Sequence, residues 1–116
     1  MERAIIIIKE NGRVNISSGN VWMSELELVE LFGVIAPTLR AAIIAIFMSG
    51  MLNPATTQRC DLATPASWAT FYKLEVVIAL AFRLSTYETG RIRQKVLESF
   101  VSAKREWNQF THIARM

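Results

Sequence analysis

The sequence predicts an α+β fold: an N-terminal β-hairpin, a helix-turn-helix, a second β-hairpin placed as a wing, a buried helix and a long C-terminal amphipathic helix. Three observations carry this expectation. Asn11-Gly12 separates two runs rich in β-branched residues, a capping box at Ser24 opens two helices joined by a glycine turn, and apolar residues recur at helical spacing from Ile92 onward. At 116 residues the chain has room for one domain, and residues 1–116 read as a single winged-helix-like unit.

Ala4 to Lys9 is the first expected strand; it ends at Glu10-Asn11-Gly12, and Arg13 to Ile16 returns as the second. Ser17 to Asn20 is a loop, and Val21-Trp22-Met23 is long enough only for a short third strand or a lead-in. In Ser24-Glu25-Leu26-Glu27 the Ser hydroxyl can accept from the amide three residues on, while Glu27 reaches back to the cap amide. Leu28, Leu31 and Phe32 form the apolar stripe of that helix, and Gly33 stands where a left-handed C-terminal residue is needed. Pro37 suits the first turn of a second helix that runs to Met48 or Ser49, with Gly50 ending it.

Asn53-Pro54 breaks the chain. Thr56 to Leu62 and Trp68 to Tyr72 have strand composition around the Ala63-Thr64-Pro65-Ala66 turn, which makes them the wing. Leu74 to Leu84 is apolar on nearly all sides and reads as a buried helix, with strand as the competing reading. Thr86 to Gly90 is a connection, and a long helix from about Arg91 toward Phe110 carries the stripe Ile92, Val96, Phe100, Ala103, Trp107 and Phe110.

Hydrophobic residues make up 52% of the chain and charged ones 20%, so apolar surface is expected beyond what a small core needs. The net charge is +3, unevenly spread: residues 1–50 hold four basic against five acidic side chains, residues 51–116 nine against five. The lone Cys60 excludes an internal disulfide, and with His112 it falls far short of a zinc quartet, so no metal or cofactor is expected. No signal-peptide order is visible and no apolar run approaches the roughly 20 residues of a membrane span, so a cytoplasmic protein without a membrane partner is expected. His112 stands four residues from the last one, the glycines form no phosphate loop, and nothing pairs a nucleophile with a base; no catalysis and no small-molecule substrate are expected. Cys60 is expected as a half-buried strand thiol, and Trp22 and Trp107 as core packing.

Four segments in order carry a family resemblance: Val21-Trp22-Met23-Ser24, Glu30-Leu31-Phe32-Gly33, Ile46-Phe47-Met48-Ser49-Gly50-Met51-Leu52 and Phe71-Tyr72-Lys73-Leu74-Glu75-Val76-Val77-Ile78. Over residues 20–84 the chain resembles the N-terminal region of RhuM-like virulence-associated proteins and, more loosely, the Bro-N domains of phage antirepressors. The resemblance implies a DNA-binding or transcription-related regulatory protein of bacterial, phage or mobile-element type, with double-stranded DNA as partner. Two departures stand out. The family's second helix carries several polar residues able to reach bases, whereas here only Thr38 and Arg40 keep hydrogen-bonding capacity; in the last helix Arg93 keeps the family's Arg without the Trp that usually follows.

On a wheel of about 100° per residue, Leu39, Ile43, Ile46 and Phe47 face the core with Ala42 at the edge, leaving Pro37, Ala41, Ile44, Ala45 and Met48 opposite. A face of Ala41, Ile44, Ala45 and Met48 reads bases poorly and calls for a cover: a second copy in a homodimer, the C-terminal helix, or the core itself if the wheel is rotated. The DNA-contact candidates are Thr38 and Arg40 on the second helix, Arg59 on the wing, Lys73, and Arg91 and Arg93 on the last helix. A protein-interaction or dimerisation module that kept the fold and lost base reading is the alternative from another class.

Overall fold

The computed structural model describes residues 3–15 and 20–114, with side chains to residue 99 and at Val101. Its elements are β1 (Ile7–Ile8), β2 (Val14–Asn15), β3 (Trp22–Ser24), α1 (Glu25–Phe32), α2 (Ala36–Met48), α3 (Pro54–Thr57), β4 (Gln58–Thr64), β5 (Ser67–Lys73), α4 (Leu74–Arg83) and α5 (Tyr87–Ala114). This is the expected α+β order, with one helical turn added. Ile16 at the end of the expected second strand, residues 17–19 of the expected loop, and the side chains of Phe100, Ala103, Lys104, Arg105, Trp107, Phe110 and His112 lie outside the described residues.

The first hairpin forms where Asn11-Gly12 predicts it, with Gly12 at φ +79° and its amide bonded to the Lys9 carbonyl at 2.8 Å. Its ladder is shorter than the β-branched run, because Ala4 instead bridges Val21 in parallel and Ile6 points into the core. A three-stranded antiparallel sheet has the order β3-β5-β4, so the short strand before the helices pairs with the far arm of the second hairpin.

Ser24 caps α1 as expected: its hydroxyl accepts from the Glu27 amide at 3.3 Å, and its amide donates to Glu27 Oε1 at 2.9 Å. Gly33 ends the helix in the left-handed region at φ +64°. The chain bends by 106° between α1 and α2, within the range of a helix-turn-helix. Leu39, Ala42, Ile43 and Ile46 of α2 are buried against Leu28, Leu31 and Phe32 of α1 and Val76, Val77, Leu80 and Ala81 of α4 in one continuous core.

Four local expectations are corrected. Asn53-Pro54 starts a helical turn as well as breaking the chain: the Asn53 side chain accepts from the Ala55 amide at 3.0 Å, so the strand begins at Gln58 rather than Thr56. The helix α5 begins at Tyr87, inside the expected connection, because Thr86 and Thr89 cap each other through their amides and hydroxyls at 2.9 and 3.2 Å. The α4 run is a helix, but Phe82 emerges into solvent instead of being buried, and Cys60 is exposed rather than half-buried. Among the described residues no single helix is long and apolar enough to cross a membrane.

Candidate nucleic-acid interface

The outward face of α2 is the first part of the site. Ile44 is 57% and Met48 83% exposed, Ala41 is exposed and Ala45 half-buried, so the wheel is correctly set and neither the core nor the described part of α5 covers this face. Thr38 and Arg40 are exposed at its N-terminal end. Arg40 is not left to solvent alone: its guanidinium pairs with Glu25 at 2.6 Å, and that hydrogen bond and charge raise its pKa further above the usual value. The same pair lies near Tyr72, whose phenol is pushed up by burial and by the Glu25 charge, with Arg40 acting in the opposite direction.

The second part is the β4–β5 hairpin. Arg59 lies across from Phe71, and Lys73 stands two residues along the same strand as Phe71, so Arg59 and Lys73 share one face of the sheet. Both have acidic neighbours, Asp61 at 3.5 Å from Arg59 and Glu75 at 3.9 Å from Lys73; exposed pairs of this kind exchange readily for another anion. Toward the tip of the hairpin Trp68, 68% exposed, sits opposite the exposed Leu62. Trp22, by contrast, is buried, and its indole donates to Asn20 Oδ1 at 3.1 Å.

The two α5 candidates hold the fold together. Arg93 Nη1 donates to the Ala81 and Leu84 carbonyls at 2.6 and 2.7 Å, placing a cation on the carbonyl end of α4. Arg91 Nε donates to the Gly12 carbonyl at 2.8 Å and ties the first hairpin to α5. No family model, curated protein or solved structure matches the chain.

The structure thus brings Arg59 and Lys73 onto one sheet face, leaves Thr38 and Arg40 exposed on opposite edges of the outer face of α2, and turns Arg93 inward. It also adds three cations that the sequence reading did not single out, Lys9, Arg13 and Lys95, which gather around Arg91. Part of that grouping has a sequence signal. Arg91 and Lys95 are four apart on one helix face, and Lys9 and Arg13 flank a tight turn. That the turn packs on that helix is a tertiary fact with no local signature.

Proposed function

We propose that this chain binds double-stranded DNA as a winged-helix regulatory domain of phage or mobile-element type, engaging the duplex through phosphate contacts more than through base reading. The observation that supports this most is the helix pair itself, bent by 106° between α1 and α2 with the outer face of α2 exposed, followed by a hairpin that carries Arg59 and Lys73 on one sheet face. The motif resemblance over residues 20–84 points the same way. On α2 only Thr38 and Arg40 offer donors to base edges or phosphates, whereas Ala41, Ile44 and Met48 offer at most methyl contacts to thymine. Low sequence discrimination with steep salt dependence is the expected behaviour.

Fluorescence anisotropy with duplexes of unrelated sequence tests this reading. Affinity is expected to fall as salt rises from about 50 to about 200 mM, to vary little between sequences, and to weaken in Arg59→Gln/Lys73→Gln. Absence of binding at low salt, or a flat salt profile, overturns it.

A second reading, a homodimerisation module on the same fold, is favoured by one observation: the apolar face of Ala41, Ile44 and Met48 is exposed on the isolated chain.

A further inference from the structure

Four cations from distant parts of the sequence meet around one cleft. Lys9 and Arg13 flank the turn of the first hairpin, Arg91 and Lys95 occupy successive turns of α5, and with Asn15 and Gln94 they line a cavity of about 360 Å³. Glu98 is the one carboxylate on the lining, and it accepts from Gln94 Nε2 at 3.2 Å. Among the described residues, Lys9, Arg13, Arg91 and Lys95 form no ion pair, and neither does Glu10 at the hairpin tip.

Arg91 is held in place. Its Nε donates to the Gly12 carbonyl at 2.8 Å and its Nη1 lies 3.4 Å from Gln94 Oε1. Gly12 permits this approach, since a Cβ at that position would stand 3.3 Å from the guanidinium and φ is +79°. A guanidinium anchored along one edge still presents its remaining N–H groups in a planar fork suited to two phosphate oxygens. The surrounding lysines and Arg13 add charge without fixed geometry. Cations crowded around a concave surface repel one another, and that repulsion is relieved when a polyanion enters.

We propose that this cleft between the first hairpin and α5 is a phosphate-binding site for the DNA backbone, an inference that rests on the DNA-binding reading and adds a contact surface separate from α2 and the wing. The variant Lys9→Gln/Arg13→Gln/Lys95→Gln tests it, because it removes charge from the cleft while leaving Arg91 to hold the hairpin. Retained far-ultraviolet circular dichroism and melting temperature establish that the variant is folded. Anisotropy with a short random-sequence duplex should show binding at least about tenfold weaker at low salt, and a plot of log affinity against log salt shallower by about 2 to 3. If the triple variant matches the wild type in affinity and slope while Thr38→Ala/Arg40→Ala weakens binding, the cleft proposal falls and the DNA reading stands. If the wild type does not bind the duplex, both fall. Wild-type binding to phosphatidylserine vesicles without binding to DNA likewise overturns the proposal in favour of a lipid headgroup.

Discussion

Gly90 and Gly33 show how one residue type takes opposite roles within a small structure. Gly90 lies in the opening turns of α5, where an added Cβ would meet only the Arg93 guanidinium at 3.5 Å, an ordinary contact. Gly90→Ala is therefore expected to raise stability by about 0.5–1 kcal/mol in urea denaturation, since it removes backbone freedom from the unfolded chain at no steric cost. Gly33→Ala in the same measurement should lower it: φ is +64°, and the new Cβ would stand 2.9 Å from the Glu88 carboxylate. Gly33 was legible because it follows a complete helix pattern of cap, stripe and stop. Gly90 falls in the expected Thr86–Gly90 connection because glycine is a poor helix former, and the reciprocal Thr86–Thr89 cap that starts the helix before it is a weaker signal than Ser24–Glu27.

Among the elements, α1 carries the clearest titration. Burial pushes the Glu27 carboxyl up, but the Ser24 amide, and the hydrogen bond and charge of Arg3, outweigh it and hold the carboxyl below the usual 4.5. Arg3 is itself positioned over the Phe71 ring at 4.9 Å and donates to the Trp22 carbonyl at 3.1 Å, so it staples the chain start to the sheet. A folded-state carboxyl with a lowered pKa stabilises above its unfolded value and loses that contribution as pH falls through the folded one. The stability difference between wild type and Glu27→Gln is thus expected to be about 0.5 kcal/mol at neutral pH. It should shrink progressively below pH 4.5, followed by denaturation at a series of pH values. Local chemistry made α1, α2 and both hairpins readable from the sequence, whereas α3 was hidden because Asn-Pro is both a break and a helix start. The inward role of Arg93 was hidden too, since a cation that closes α4 is indistinguishable in sequence from one on a solvated face.

At the scale of the whole molecule, folding leaves large apolar side chains exposed on several elements, among them Ile44 and Met48 on α2, Leu62 and Trp68 on the second hairpin and Phe82 on α4. On the dimer reading the apolar face of α2 is the seam: size-exclusion chromatography with light scattering gives a homodimer for the wild type and, for Ile44→Glu, a monomer that keeps its far-ultraviolet circular dichroism, since Ile44 is exposed on the single chain. A monomeric wild type, or a variant of unaltered mass, removes the dimer. Charge that is diffuse along the sequence becomes local only through the meeting of the first hairpin and α5, which no window of the sequence contains. The bond from Arg91 to Gly12 spans 79 residues, and this separation has a bearing on biosynthesis. The hairpin is translated long before the helix it is tied to, so a two-stranded ribbon, marginal in water by itself, lacks the Arg91 tether until α5 emerges. This hairpin is therefore among the late segments to find its place, and the nascent chain spends that interval open to chaperones and to association with its neighbours.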